Sequence, residues 1–141
     1  MRKIFYFFVA LALSAVFVGC SSFQSRPPEE IIAERALTQA RYLMDRDYDA
    51  ALTYVVPSYQ NSARAEFYET DFSGSSVWTD ASVKWVRCGE SQEPDRCEVR
   101  LWIYGSLSSP GPSSSARGDT VPWPWNKVWV KIDGEWYQYL E

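Results

Sequence analysis

The side chains with the most distinctive chemistry in this sequence are three thiols, at Cys20, Cys88 and Cys97, in a chain of 141 residues that contains no histidine. Without histidine, a Ser/His/Asp hydrolase in its usual form is excluded, because the serine would lack the base that takes its proton. Two thiols alone also make a poor set of zinc ligands. We therefore expect neither a metal nor a cofactor.

The segments around Cys88 and Cys97 indicate a disulfide instead. "ASVKWVRC" and "CEVRLWIYG" are rich in Val, Trp, Ile and Tyr, which favours two strands, and the polar "GESQEPDR" lies between them. A bridge at the base of this hairpin loop follows if the compartment is oxidising. Zinc binding by the two thiols is the rival interpretation.

The third thiol, Cys20, ends an apolar run. Met1-Arg2-Lys3 is basic and residues 4–18 are apolar, which is typical of an export signal too short to span a membrane comfortably. The quartet Phe17-Val18-Gly19-Cys20 resembles the lipobox of bacterial lipoproteins, although Phe17 stands where that family usually has Leu. The resemblance implies cleavage of residues 1–19, lipid on the sulfur of Cys20 and a membrane partner for it. An ordinary signal peptide or an uncleaved anchor is the alternative.

By the same resemblance, Ser21 in place of Asp implies an outer-membrane lipoprotein that faces the periplasm. The chain has 14 basic and 18 acidic residues, and loss of Arg2 and Lys3 with the signal makes the remainder more acidic. Nucleic acid is therefore an unsuitable partner. About 120 residues remain, which suits one core. We expect a lipidated tether over residues 20–28 and one domain over residues 29–141.

Helical spacing dominates the first half of this domain. From Glu29 onward, apolar residues recur at the spacing of one helix face, at Ile32, Ala36, Ala40, Leu43 and Met44. Asp47 can cap a short second helix that Pro57 stops. A third helix is expected from Ser58, with Tyr59, Ala63 and Phe67 facing the core. Strands follow beyond Gly74.

The C-terminal segment "KVWVKIDGEWYQYLE" predicts a β-hairpin. Asp133-Gly134 is a two-residue turn that pairs Ile132 with Glu135. This register separates two faces: Val128, Val130, Ile132, Tyr137 and Tyr139 on one, and Trp129, Lys131, Trp136 and Gln138 on the other. We expect the first face to hold the core. The face with Trp129 and Trp136 then needs a cover, since bare apolar surface of that size is rare.

Three helices with "RDYDAALTYVVPSY" between the first and third, followed by long antiparallel strands that end in "VWVKIDGEWYQYL", resemble the NTF2-like (cystatin-like) superfamily. The resemblance covers roughly residues 29–141. It implies an α+β fold in which N-terminal helices pack on a curved antiparallel sheet, as a cone whose mouth can hold a small apolar ligand. Many members dimerise through the outer sheet face, which would cover Trp129 and Trp136. Another α+β sandwich with the same element order is the alternative.

Enzymes of this superfamily place titratable groups in the cone, and here Asp71 and Asp80, with Tyr68 as a donor, are the candidates. We expect these carboxylates to lie in solvent and predict no catalytic residue. The rings of Trp123-Pro124-Trp125 either pack on the sheet or bind a partner or ligand. The expected function is therefore a non-enzymatic envelope module that binds a protein partner, including a second copy, or a small apolar ligand. A tethered isomerase or dehydratase with a buried carboxylate is the alternative.

Overall fold

The computed structural model describes residues 26–89, 93–105 and 122–141. The predicted signal peptide, Cys20 and most of the tether lie outside the described residues. No helix within the described ranges is long and apolar enough to cross a membrane. The domain consists of helices packed on a curved four-stranded sheet, which is the predicted α+β architecture.

The longest helix, α1, runs from Pro28 to Met44 and confirms the predicted first helix. Pro28 suits the first turn, where a missing N–H leaves no hydrogen bond unmade, and Glu29 and Glu30 lie favourably at the positive end of the helix dipole. One face of α1 is buried against the sheet. Its buried residues are Ile32, Ala36, Gln39, Ala40 and Leu43.

Short helices follow α1. Asp47 caps α2 (Tyr48–Leu52) as predicted, since its Oδ1 accepts a hydrogen bond from the amide of Ala50 at 3.1 Å. The remaining elements are α3 (Pro57–Gln60), a 3₁₀ turn (Ala63–Phe67), α4 (Tyr68–Phe72) and a second 3₁₀ turn (Ser73–Val77).

The predicted third helix is wrong beyond its first turn. Asn61 donates from Nδ2 to the carbonyl of Pro57 at 2.8 Å, and the Ser62 hydroxyl donates to the carbonyl of Tyr59 at 2.7 Å. The Tyr59 carbonyl also accepts the Ser62 amide at 3.0 Å, so the last turn closes through a bond between residues three apart and the α-helix ends. The change of direction leaves Ala63 exposed and Phe67 57% exposed. Tyr59 is buried as expected.

The sheet has the order β1-β2-β3-β4 with antiparallel neighbours, formed by β1 (Trp78–Cys88), β2 (Arg96–Gly105), β3 (Trp123–Ile132) and β4 (Glu135–Gln138). Cys88 lies opposite Cys97, and the two are joined by a disulfide with their Cα atoms 4.1 Å apart. The predicted bridge at the base of the β1-β2 hairpin is therefore present.

The β3-β4 hairpin is confirmed in turn and register. Ile132 pairs with Glu135, and Asp133 and Gly134 have positive φ of 51° and 88°, the backbone that this two-residue turn requires. The outer edge of β4 is also paired. The amide of Gln138 donates to the Tyr54 carbonyl at 2.7 Å, and the Val56 amide donates to the Gln138 carbonyl at 3.0 Å.

The predicted assignment of the two hairpin faces is wrong for the face with Trp129 and Trp136, which was expected to need a cover, whereas Val130, Ile132 and Tyr137 on the other face pack, partly buried, against a second core cluster. Trp129 is 0% exposed and Trp136 is 4% exposed, and both belong to the core under α1. Ala36 and Ala40 lie in the same cluster, and their small side chains leave room for two indoles beneath the helix. Alternation along the strands fitted either orientation because both faces carry aromatics. The cover for Trp129 and Trp136 is thus α1, so they give no reason to expect a dimer.

Candidate functional site

A cavity of about 420 Å³ opens between the short helices and the sheet. The inner face of β3, the start of β1 and the C-terminal residues form one side, and α3, α4 and the two 3₁₀ turns form the other. The lining residues are Tyr59, Arg64, Asp71, Phe72, Gly74, Ser75, Trp78, Trp125, Lys127, Leu140 and Glu141.

Aromatic rings form the apolar wall of this cavity. The centroids of Trp78 and Trp125 are 5.2 Å apart with their planes at 70°, and Phe72 meets Trp125 edge-on at 6.5 Å. Edge-to-face packing of this kind is favourable and fixes the ring orientations. The wall is therefore a set of rings that hold one another in place and expose apolar surface to the cavity.

The two tryptophans of Trp123-Pro124-Trp125 lie in β3 and face inward. Trp123 pairs with Ile103 and Trp125 with Leu101, both of which are buried. The ring of Trp123 packs over Gly105, where a Cβ would come within 2.7 Å of it. Both rings pack on the sheet, which was one of the two interpretations that the sequence left open. Trp125 lines the cavity, whereas Trp123 does not.

Lys127 is the unusual member of the lining. It pairs with buried Val99, so its side chain emerges on the inner face two residues after Trp125. Its Nζ lies 5.0 Å from the ring centroid of Trp125 and 5.4 Å from that of Phe72. Burial lowers the pKa of Lys127, because the charged ammonium is partly removed from water. The sequence pattern assigned this lysine no role.

The predicted candidates for acid/base chemistry are dispersed. Asp71 lines the cavity but is exposed, and its Oδ2 lies 3.9 Å from Nη2 of Arg64. Asp80 is exposed and accepts a hydrogen bond from the amide of Ala81. Tyr68 is buried, yet it contacts neither carboxylate through a hydrogen bond in the described part of the chain. Nor do three metal-ligating side chains cluster anywhere in those residues.

Behind the cavity lies a buried amide pair that sequence reasoning missed. Gln39 Nε2 donates to Oε1 of Gln138 at 2.5 Å and lies 3.4 Å from the hydroxyl of Tyr68. Burial raises the pKa of Tyr68 above its usual range. A glutamine within the apolar stripe of α1 was the available signal for this pair. The pair joins α1 to β4 across the core.

The outer face of the sheet is polar and aromatic. Two guanidinium groups lie over the ring of Trp85, with the Cζ of Arg87 at 4.5 Å and that of Arg100 at 5.1 Å from its centroid. Arg100 donates from Nε to Oδ1 of Asn126 at 2.6 Å. A smaller groove of about 240 Å³ lies beside Trp85 and Asn126, and Lys127 contributes to its lining as well. Trp85 is thus already stacked with charged neighbours.

Comparison with known proteins supports the fold. No family model matches the sequence, and no curated protein matches it. The structure is similar to that of a proposed NTF2-like transpeptidase from Campylobacter jejuni, with a TM-score of 0.56 and 12% identity over 77% of this chain and 96% of that one. A proposed polyketide cyclase from Xanthomonas campestris gives a TM-score of 0.42 and 18% identity over 77% and 92%. The domain has the NTF2-like fold, an α+β cone.

Proposed function

We propose that this protein is a lipid-anchored module of the cell envelope that binds a small, largely apolar ligand in the cavity between the short helices and the sheet. The cavity carries the proposal. Its volume of about 420 Å³ is in the range of small-molecule sites, and rings of Phe72, Trp78 and Trp125 supply apolar surface beside a few polar groups.

The anchoring part of the proposal is supported by two independent features. The apolar run that ends in Gly19-Cys20 resembles a lipoprotein signal, and it implies a periplasmic position at the outer membrane. The Cys88–Cys97 disulfide is typical of an oxidising compartment such as the periplasm. A tether over residues 20–28 would leave the domain close to the membrane surface.

The non-enzymatic part is supported by the positions of the carboxylates. A general base of the isomerase or dehydratase kind needs a carboxylate that is held away from water. Asp71 and Asp80 are exposed, and Oδ2 of Asp71 lies 3.9 Å from Nη2 of Arg64. These positions suit solvated surface groups better than a proton-transferring pair.

Titration of the purified full chain with 1-naphthaleneacetamide, a neutral bicyclic probe, tests the cavity by calorimetry. Gly74 lines the cavity, and a Cβ there would meet no atom within 4 Å. Gly74→Phe should therefore fold and occupy part of the cavity, which lowers probe affinity about tenfold. Ser76→Phe, in the same 3₁₀ turn but outside the lining, is the matched control and should bind as the wild type does. Equal affinity in Gly74→Phe would exclude the cavity as the binding site.

A further inference from the structure

We propose that the ligand of this cavity carries a carboxylate that pairs with the ammonium of Lys127. The inference rests on the proposed function and adds the chemical class of the ligand. It starts from the position of Lys127 on the inner face of β3, opposite buried Val99, with its Nζ above the rings of Trp125 and Phe72.

The two cations of the cavity differ in their surroundings. Arg64 has Asp71 at 3.9 Å, so an opposite charge already lies beside it. Lys127 forms no ion pair within 4 Å among residues 26–89, 93–105 and 122–141. Within these ranges, its Nζ makes cation–π contacts with the rings of Phe72 and Trp125. Ring faces attract a cation but do not neutralise it.

Partial burial makes this unpaired charge costly, and the same burial lowers the pKa of Lys127. An anion beside Lys127 lowers that cost and gains a charge-assisted hydrogen bond. The acidic lining residues, Asp71 and Glu141, are exposed, so solvent screens their repulsion of such an anion. The cavity therefore holds an unpaired positive charge that suits an anionic ligand.

The geometry favours a carboxylate with a flat apolar body. Lys127 is a single point charge, whereas recognition of a phosphate commonly uses an arginine fork or several backbone amides. Trp125 and Phe72, the rings nearest to Nζ, would contact the part of the ligand adjoining its charged group. An aromatic carboxylic acid combines a single negative charge with a flat apolar body.

The test compares 1-naphthaleneacetate with 1-naphthaleneacetamide, which have nearly the same shape and differ in charge, by calorimetry on the purified full chain. The wild type should bind the acetate about tenfold more tightly than the amide. Lys127→Met should remove that preference, so that the ratio of acetate to amide affinity falls to about one, and Lys127→Arg should restore most of the preference. Lys131→Met, an exposed lysine of the same strand outside the cavity, should match the wild type.

Each other outcome has a definite meaning. Equal affinities in the wild type would overturn the carboxylate assignment and leave the cavity function standing. A preference that survives Lys127→Met would overturn the role of Lys127. If Lys127→Met does not fold, the comparison of the two probes on the wild type tests the carboxylate assignment, and the probe preference of Lys127→Arg tests the role of the charge at residue 127. Failure of both probes to bind the wild type would overturn the proposed function, and this inference with it.

Discussion

Gln39 of α1 and Gln138 of β4, 99 residues apart in the sequence, are joined through buried side-chain amides, with Gln39 Nε2 2.5 Å from Gln138 Oε1. Both side chains are 0% exposed. The backbone of Gln138 also bonds to Tyr54 and Val56, so this residue connects the last strand to the chain that follows α2. The pair therefore ties the long helix to the sheet edge nearest the short helices.

Replacement of Gln39 by Leu should lower the free energy of unfolding by about 1–3 kcal/mol, because Gln138 Oε1 loses its donor inside the core. The double variant Gln39→Leu/Gln138→Leu should cost less than the sum of the two single variants, since no polar partner is then left unpaired. Urea denaturation of the four proteins measures this coupling. Strict additivity would show that the two amides do not interact.

Trp129→Ala should destabilise the domain by about 3–5 kcal/mol, because it removes a fully buried indole under α1. Trp85→Ala is the matched control on the outer face, where the ring stacks with Arg87 and Arg100, and should cost less than about 1 kcal/mol. Thermal and urea unfolding give both values. A larger loss from Trp85→Ala would mean that the two faces of the sheet are interchanged.

Removal of the disulfide by Cys88→Ala/Cys97→Ala should cost about 2.5 kcal/mol, the loop-entropy value for cysteines separated by nine residues. Urea denaturation of the oxidised protein and the double variant measures it. Thiol labelling of denatured, unreduced protein from the native host should find neither cysteine free. Labelling of both would refute the bridge in the cell.

Cys20→Ser should abolish lipid attachment, so that the protein stays uncleaved or moves to the soluble fraction. The resemblance to a lipobox implies that lipid is attached to the sulfur of Cys20, and a serine hydroxyl cannot replace that thiol. Cell fractionation and the mass of the N-terminal peptide are the measurements. Normal cleavage together with full membrane retention would contradict lipidation at Cys20.

Local patterns in the sequence predicted much of the fold, because each pattern depends on residues that are close together in the chain. The stripe of α1, the cap at Asp47 and the turn at Asp133-Gly134 each depend on residues a few positions apart. The predicted third helix ends early because Ser62 bonds to the Tyr59 carbonyl through both its amide and its hydroxyl, which an apolar pattern does not record.

The site was less predictable because it depends on tertiary packing. Trp129 and Val130 both contact core clusters, but only Trp129 is fully buried under α1, and alternation along the strand does not record which face the long helix covers. Lys127 was unremarkable in "NKVWVK", since its inward direction follows from the pairing of β3 with β2. Trp125 was a candidate by residue type, but its place beside Lys127 and Phe72 needed the folded chain.

The most direct test of the cavity as the binding site is the response of the seven tryptophan indole N–H signals in an NMR titration of the protein with 1-naphthaleneacetamide. Trp78 and Trp125 line the cavity, whereas Trp85 lies on the outer face. If the cavity binds the probe, the signals of Trp78 and Trp125 shift in a saturable manner while that of Trp85 stays in place. Saturable shifts at Trp85, with Trp78 and Trp125 unchanged, would contradict it.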